Sequence, residues 1–333
     1  MRKKKIFLLS FVIISFSILI LFTKIFFGQG SKSIGNVILF SKGQNLNDLS
    51  VILTDKGLIS SQLVFKIGIR IIGGEDKLQA GEYYIKPHES MRSIYKKIVE
   101  GDTITYSLTI PEGLTNKQVF SILETNPQLT GDIDELKYAK EGIFLPETYF
   151  FKYNETKNAM LKRLAISQEE YLNNYVLPLL SSKENVSSVL KDIGQILILS
   201  SLVEEEAKRD DERARIAAVF LNRLKSGMKL ESDPTVIYGI TLGKRNLNRK
   251  LNLKDLKTFT EYNTYLIKGL PPTPISNPGK KSIEAVLNPL STQELYFVSD
   301  GYDGHFFSET YDQHKKNVAK YRETIKLKQL EQF

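Results

Sequence analysis

The longest feature in the hydrophobic pattern is one apolar run near the N-terminus. Eighteen uncharged residues, Ile6 to Thr23, are mostly Leu, Ile, Phe and Val and follow the basic cluster Arg2 to Lys5. This is about the minimum length for a helix that spans a bilayer. Lys24 can extend its charged end to the interface, so the span can reach Phe27. The pattern predicts a single transmembrane helix, with residues 1–27 forming a short tip and a membrane anchor.

The basic cluster also predicts the orientation of this helix. Positive charge before a span favours a cytoplasmic N-terminus, which places the rest of the chain outside the cell membrane. A cleaved signal peptide is the alternative. Its apolar core is normally shorter, and a small-x-small cleavage site is not obvious near Gly28-Gln29-Gly30. We therefore expect an uncleaved, single-pass anchor with an extracytoplasmic catalytic domain.

A Gly/Ser linker is predicted at 28–35. After it, segments in which every second residue is apolar alternate with segments in which apolar residues recur about every four positions. They predict a β-α-α-β module over 36–102, with strands at Val37–Phe40 and Gly81–Ile85 and helices at Leu46–Leu53 and Gln62–Ile72. The phrase from Ser41 to Leu49 resembles the opening of LysM-like domains, which bind glycans containing N-acetylglucosamine. A glycine turn before a capped helix explains the same residues without a ligand.

The remaining chain reads first as a connecting α+β unit and then as a largely helical domain. The unit over 103–159 repeats the strand-turn-helix plan, and residues 160–333 form the predicted catalytic domain. The predicted elements of the second part are helices at Leu161–Tyr175, Val186–Lys208, Arg213–Leu224 and His314–Gln329 and a strand at Glu294–Ser299. The fold class predicted for the whole chain is α+β.

Composition narrows the possible functions. The 333 residues carry a formal charge of +8, but residues 1–27 hold five basic and no acidic residues, which leaves +3 for the rest. This small excess excludes a dedicated nucleic-acid binder. The absence of cysteine excludes disulfides, thiolate metal sites and cysteine nucleophiles.

The strongest chemical signal is a run of three carboxylates after a helix that is apolar on nearly every face. Ile193 to Val203 predicts a buried helix, and it leads into Glu204, Glu205 and Glu206. Successive helix residues turn by about 100°, so the three side chains point in different directions. Spacing alone does not choose among them, although Glu204 lies deepest in the apolar run. A partly desolvated carboxyl has a raised pKa and suits general acid catalysis. A helix that simply emerges into water is the alternative.

Loops stiffened by proline follow this helix. Asp233 precedes Pro234, so an extended or turn conformation is expected there. Tyr262 and Asn263 come before the run Leu270 to Pro274. Aromatic faces cover the CH groups of sugars and amides pair with hydroxyls, so this composition suits a polysaccharide groove.

Several ordered blocks together resemble the endolytic murein transglycosylase family (YceG-like), over about residues 30–330. The blocks are the Glu204 helix, Asn222-Arg223, Ser232 to Gly239, Tyr262 to Tyr265, Gly269 to Pro272, Asn277 to Gly279, Leu145 to Tyr149, and Tyr296 to Val298 with His305 and Phe307. Thr273 stands where the family usually has Gly, and Glu147 where it usually has Asp. Both departures concern loops.

The resemblance implies a lytic transglycosylase that acts inside peptidoglycan strands, leaves 1,6-anhydro-N-acetylmuramic acid ends and terminates the elongation of nascent chains. It assigns the catalytic role to Glu204, the first glutamate of the cluster. By analogy, the substrate-binding candidates are Glu206, Asn222, Asp233, Tyr238, Tyr262 and Asn263. No cofactor or metal is expected. A hairpin followed by a helix explains Asp300, Asp303, His305 and His314 without a metal.

Two other functions fit the same residues. One is a hydrolytic muramidase in which Asp233 acts as the base partner of Glu204. The other is a non-catalytic scaffold that binds peptidoglycan and organises cell-wall synthases. The expected partners are glycan strands, the membrane and such synthases, and nucleic acid is excluded.

Overall fold

The computed structural model describes residues 2–30, 34–244 and 247–330. Residues 31–33 of the predicted linker, together with Met1, 245–246 and 331–333, lie outside the described residues. The architecture is mixed α+β, as predicted. Its strands are β1 (Asn36–Phe40), β2 (Gly81–Ile85), β3 (Thr105–Thr109), β4 (Leu129–Thr130), β5 (Thr148–Lys152), β6 (Glu155–Thr156), β7 (Tyr296–Ser299) and β8 (His305–Ser308).

The helices alternate with these strands in the first part of the chain and dominate the second. They are α1 (Arg2–Phe27), α2 (Leu46–Asp55), α3 (Gln62–Ile72), α4 (Met91–Glu100), α5 (Asn116–Glu124), α6 (Lys157–Tyr171), α7 (Leu177–Ser182), α8 (Glu184–Ser187), α9 (Ile193–Glu206), α10 (Arg213–Lys225), α11 (Asp233–Thr241), α12 (Leu253–Leu256), α13 (Lys280–Leu287) and α14 (Tyr311–Leu330). Short 3-10 turns lie at Glu75–Lys77, Leu136–Tyr138 and Asp210–Glu212, and a π-helical turn lies at Leu172–Val176.

The chain divides into two compact units. Unit 1 comprises residues 1–107 with 150–155, and unit 2 comprises residues 108–149 with 156–333. This division reflects packing within the chain, and the domain boundaries given above stay predictions.

Unit 1 contains α1 and a β-α-α-β arrangement. Strands β1 and β2 pair antiparallel, with Asn36 opposite Ile85 and Phe40 opposite Gly81. Asn45 starts α2 with a capping box, because its side chain accepts backbone N–H bonds while Asp48 accepts the N–H of Asn45. Among the described residues, α1 is the helix long and apolar enough to cross a membrane. Its apolar side chains from Ile6 to Leu21 are exposed, as a lipid-facing helix requires.

Unit 2 is built around α9. Its core holds Ile196, Leu199, Leu202 and Val203 together with residues of α10 and α13. Because helices cover α9 on several sides, its sequence is apolar nearly all round, as the pattern predicts. Strands β7 and β8 form an antiparallel hairpin that packs against α14.

Two local predictions are wrong. The helix predicted from Val186 to Lys208 is interrupted, because Asp192 is extended and caps a new helix by accepting the N–H of Gln195 at 2.8 Å. Asp233 was expected to be extended or in a turn, yet it is the first residue of α11 and follows Ser232, whose side chain makes no capping hydrogen bond. Proline is tolerated in the first helical turn, where its missing N–H would have no helical acceptor.

Candidate functional site

Three consecutive glutamates form the last turn of α9. The helix ends at Glu206 because Ala207 adopts an extended conformation. At about 100° per residue, the side chains of Glu204, Glu205 and Glu206 reach three different environments in unit 2. Their contacts distinguish the chemistry open to each carboxyl group.

Glu204 is held in a buried ion pair. Its Oε1 accepts a hydrogen bond of 2.8 Å from Nη1 of Arg213, and the two side chains are only 5% and 9% exposed. Its Oε2 accepts a bond of 2.9 Å from the backbone N–H of Gly279, which caps α13. Both oxygens of Glu204 therefore accept a hydrogen bond, one of them from a charged donor.

Glu205 is exposed and lines a cavity of about 410 Å³, which we call the Glu205 cavity. The turn at Gly113 comes so close that a Cβ there would lie 3.1 Å from Oε1 of Glu205, and the positive φ of 77° also requires glycine. Although the residue as a whole is exposed, the cavity walls desolvate its carboxyl group and, with the nearby charge of Glu204, raise the pKa of Glu205 to about 7.

Glu206 lines a second, more polar cavity of about 460 Å³, which we call the Glu206 cavity. Its Oε1 accepts a hydrogen bond of 2.6 Å from the hydroxyl of Ser232. Burial, together with the charges of Asp233 and Glu205, raises the pKa of Glu206 to about 7 against the opposing effect of the hydrogen bond from Ser232. The carboxyl group therefore holds its proton for part of the time near neutral pH.

Polar groups converge on the Glu206 cavity. Asp233 lies on its wall, where Oδ1 accepts a bond of 2.8 Å from the hydroxyl of Tyr265. Arg223 is another wall residue, and its Nη1 donates to Glu231 at 3.0 Å. Among the described residues no partner reaches Nδ1 of His314, and burial and Arg223 lower the pKa of this imidazole. Three carboxyl groups (Glu206, Glu231 and Asp233), the guanidinium of Arg223 and the imidazoles of His305 and His314 thus line the cavity.

The two cavities are neighbours. On α9, Glu205 lines the Glu205 cavity and the next residue, Glu206, lines the Glu206 cavity. On α11, Asp233 lines the Glu206 cavity and the next residue, Pro234, lines the Glu205 cavity. The end of α9 and the start of α11 therefore separate two adjoining sites. Each of the two cavities has a carboxyl group of raised pKa in its wall.

Tyr238 lines the Glu205 cavity, and its ring packs on that of Tyr262 with centroids 4.8 Å apart. Tyr238 also pairs with the buried carboxyl of Glu141, whose pKa desolvation raises to about 7. The hydroxyl of Tyr262 lies 2.9 Å from that of Thr273. These rings supply an aromatic wall of the kind that sugar CH groups cover.

The two asparagines predicted to bind substrate donate hydrogen bonds to backbone carbonyl groups instead. Nδ2 of Asn222 donates to the carbonyls of Thr292 and Glu294 at 2.8 and 3.0 Å. Asn263 is fully buried, and its Nδ2 donates to the carbonyls of Leu256 and Thr258. Both side chains hold loops in place and have little capacity left for a ligand.

The structure thus gathers Glu206 and Asp233 around one cavity and places Tyr238 on the wall of the other, with Tyr262 packed against its ring. Glu204 is left in an ion pair. Sequence reasoning missed Arg213, Ser232 and Tyr265 as contacts of the acidic residues. Ser232 and Tyr265 lie inside motifs that drew attention to their neighbours. No sequence pattern indicated a role for Arg213, because its contact with Glu204 depends on how α10 folds back on α9.

The acidic and histidine residues near the C-terminus are also engaged. Nδ1 of His305 lies 2.8 Å from Oε2 of Glu212, and Asp300 accepts backbone bonds from Tyr302 and Gly304 in its own turn. Within the described ranges, no three His, Asp or Glu side chains are placed to hold a metal ion.

Comparison with known proteins places these features in context. The sequence profile of the YceG-like family matches residues 38–320. A Bacillus subtilis protein named endolytic murein transglycosylase is 31% identical over 323 residues, 88% of this chain and 86% of that protein. A Streptococcus pneumoniae protein of the same name is 26% identical and matches 84% of this chain, which spans 57% of that relative's length.

A solved structure is similar as well. The crystal structure of a YceG-like protein from Listeria monocytogenes superimposes with a TM-score of 0.53 at 29% sequence identity. The match covers 85% of this chain and 98% of that one.

Proposed function

The chain belongs to the YceG-like family, and from this membership we propose that it is a peptidoglycan lytic transglycosylase that cleaves inside glycan strands. The relatives' name, endolytic murein transglycosylase, supports the reaction class. The observation that carries the proposal is the pair of adjoining cavities at the end of α9, each with a glutamate of raised pKa. An enzyme that cuts within a strand needs sites on both sides of the bond it breaks.

The proposed reaction needs one carboxyl group that gives and then takes a proton. The protonated acid donates to the glycosidic oxygen that leaves C1 of N-acetylmuramic acid, and the C1–O bond breaks. The resulting carboxylate removes the proton from the C6 hydroxyl of the same sugar, whose oxygen bonds to C1 and closes a 1,6-anhydro ring. The nucleophile belongs to the substrate, so no second carboxylate is needed to activate water.

The family resemblance assigns this carboxyl group to Glu204, and that assignment stays a prediction. The contacts favour Glu206 as the proton donor. Glu204 has a guanidinium and a backbone N–H on its two oxygens, whereas Glu206 has a raised pKa and lines an open polar cavity. A donor must hold a proton near neutral pH and face space that a substrate can enter, and the raised pKa of Glu206 and its place on the cavity wall support this role. In this scheme Glu204 anchors Arg213 and fixes the end of α9.

The other candidates then take distinct roles. Asp233, held by Tyr265, lies beside Glu206, so its negative charge keeps the proton on Glu206 and stabilises positive charge developing on the sugar. Tyr238 stacks against a neighbouring sugar in the Glu205 cavity, and Tyr262 supports its ring. Asn222 and Asn263 position the loops that form the walls.

We also propose that α1 anchors the protein in the cell membrane, with its N-terminus cytoplasmic and unit 2 outside. Its length and apolar character support this, as does the basic cluster that precedes it. An anchored enzyme on the outer face meets glycan strands while synthases extend them, so cleavage there would terminate elongation. The β-α-α-β order of unit 1 agrees with a LysM-like, glycan-binding role.

The test is product analysis with purified full-length protein and glycan strands. Mass spectrometry should show muramic acid ends that lack one water relative to reducing ends, and Glu206→Gln should lower the rate about 10²–10⁴-fold without loss of folding. Glu204→Gln and Glu205→Gln are the matched comparisons. Loss of cleavage in a well-folded Glu204→Gln protein with activity kept in Glu206→Gln would return the catalytic role to Glu204.

A hydrolytic muramidase is the second candidate, because Asp233 lies beside Glu206 and offers a base for water. Reducing ends without anhydro sugars would establish it in place of the transglycosylase. If every glutamate variant and the wild type leave strands intact, the protein is a binding scaffold.

A further inference from the structure

Helix α3 presents apolar side chains in two directions. Phe65 and Ile69 point into the core of unit 1 and are fully buried. On another face, Leu63, Ile67 and Ile71 are 65%, 38% and 71% exposed. Their spacing of four residues places them in one stripe along the helix. Three large exposed aliphatic residues in a row are unusual on a surface that faces only water.

The last turns of α1 pack directly on α3. Phe26 is fully buried, and its ring lies so close to Gly68 that a Cβ there would come within 2.2 Å of it. Phe22 stacks on Phe26 with ring centroids 5.7 Å apart and packs against the same core. The exposed stripe therefore belongs to the element that contacts the anchor, and both lie within unit 1.

These contacts also indicate the depth of α3 relative to a bilayer. Phe22 belongs to the uncharged run that ends at Thr23, yet the core of unit 1 rather than lipid covers part of it. The segment from Leu58 to Ser60, just before α3, shares a small cavity with Leu21 and Lys24 of α1. If α1 spans the membrane, the start of α3 lies at the level of the lipid headgroups.

The charges on α3 fit that position. Lys66 and Arg70 are four residues apart, so they form a basic row beside the aliphatic stripe. Arg70 also faces Glu75 at 3.7 Å across an exposed pair, a contact that costs little to exchange. Aliphatic side chains next to lysine and arginine are typical of helices that lie in the membrane interface.

We propose that α3 docks unit 1 onto the outer surface of the bilayer that holds α1. The Leu63, Ile67 and Ile71 stripe enters the interface, and Lys66 and Arg70 face the lipid phosphates. The proposal rests on the proposed anchoring by α1 and is independent of the proposed catalysis. It means that unit 1 is fixed against the membrane by two elements.

The chain contains no tryptophan, so a single introduced tryptophan reports on its own position. Full-length Leu63→Trp, Ile67→Trp and Ile71→Trp proteins are reconstituted in vesicles of phosphatidylcholine and phosphatidylglycerol, with and without brominated acyl chains. We expect bromine to quench each emission at least twofold. Val51→Trp on α2, at a position of similar exposure (43%), is the matched control and should change little.

A fourth variant, Phe16→Trp, tests the anchoring itself, because Phe16 lies in the middle of α1. Strong quenching of Phe16→Trp together with unquenched α3 variants would overturn the docking and leave the anchoring intact. An unquenched Phe16→Trp would overturn the anchoring on which the docking rests. Adding Ile71→Asp to the Leu63→Trp protein should at least halve its quenching, and unchanged quenching would show that the stripe does not contact lipid.

Discussion

Arg213 donates a hydrogen bond of 2.8 Å to Glu204 at the end of α9, and both side chains are almost completely buried. The same guanidinium donates through Nε to Asp210 at 3.0 Å. One arginine thus ties the end of α9 to the turn before α10. Glu204, which lies deepest in the apolar run of α9, is consequently the glutamate most engaged in holding the structure together.

Arg213→Leu should lower the stability of the protein strongly. Removing one partner of a buried ion pair leaves an uncompensated charge and typically costs about 3–5 kcal/mol. Arg209→Leu is the matched control, since its pair with Asp211 is exposed and exposed ion pairs contribute little to stability. Thermal unfolding of the two variants measures the difference. Equal, small losses would show that the Glu204 pair has no structural role.

The activity should fall as the pH rises through about 7. Glu206 must be protonated to donate, and burial raises its pKa to about 7, so the protonated fraction declines above that pH. Asp233→Asn removes a negative charge that raises this pKa, so the decline should begin at a lower pH. The profile of kcat/KM between pH 5 and 9 measures both effects.

The comparison variant for this profile is Glu205→Gln. Glu205 lines the other cavity, so its loss should change KM more than the position of the decline in kcat/KM. The small contribution of Glu205 to the pKa of Glu206 shifts the decline slightly in the same direction as Asp233→Asn. A profile that is flat between pH 5 and 9 in the wild type would count against Glu206 as the acid.

The same raised pKa makes a prediction about stability. A carboxyl group with a folded-state pKa above its unfolded value stabilises the fold below the unfolded pKa, and this contribution is lost as the pH rises through the folded pKa. We therefore compare the free energy of unfolding of Glu206→Gln with that of the wild type at each pH. The difference should favour the variant by about 1–3 kcal/mol more at pH 8 than at pH 4. Melting curves at the two pH values give the difference. An identical difference at both would indicate that Glu206 is solvated in the folded protein.

Periodicity and caps were sufficient to predict α1, the β-α-α-β order of unit 1 and the buried character of α9, because these depend on local sequence. The cluster of glutamates could also be located. Their individual environments could not, since these depend on which distant donor each side chain meets: Arg213 for Glu204 and Ser232 for Glu206. The helical start at Asp233 escaped prediction because the tolerance of the first helical turn for proline outweighed the usual restriction on a residue before proline.

Asn263→Ala should reduce stability more than catalysis. The change removes the donor to two backbone carbonyls and the acceptor of the Tyr265 N–H, at about 1–3 kcal/mol for each buried group left unpaired. Asn222→Ala should behave in the same way. Tyr238→Ala is the contrast, because it removes a cavity wall and should raise KM. If the folded Asn263→Ala protein lost substrate affinity instead, its side chain would contact glycan.

The contact between α1 and α3 predicts a coupling between two substitutions. Gly68→Ala places a methyl group against the buried ring of Phe26, and overpacking of this kind costs about 1–3 kcal/mol. Phe26→Leu alone loses packing, but in the double variant the smaller side chain makes room for the methyl group. The double variant should therefore be more stable than the sum of the two single losses implies. Additive losses in thermal unfolding of the reconstituted protein would mean that α1 and α3 are not packed together in the membrane.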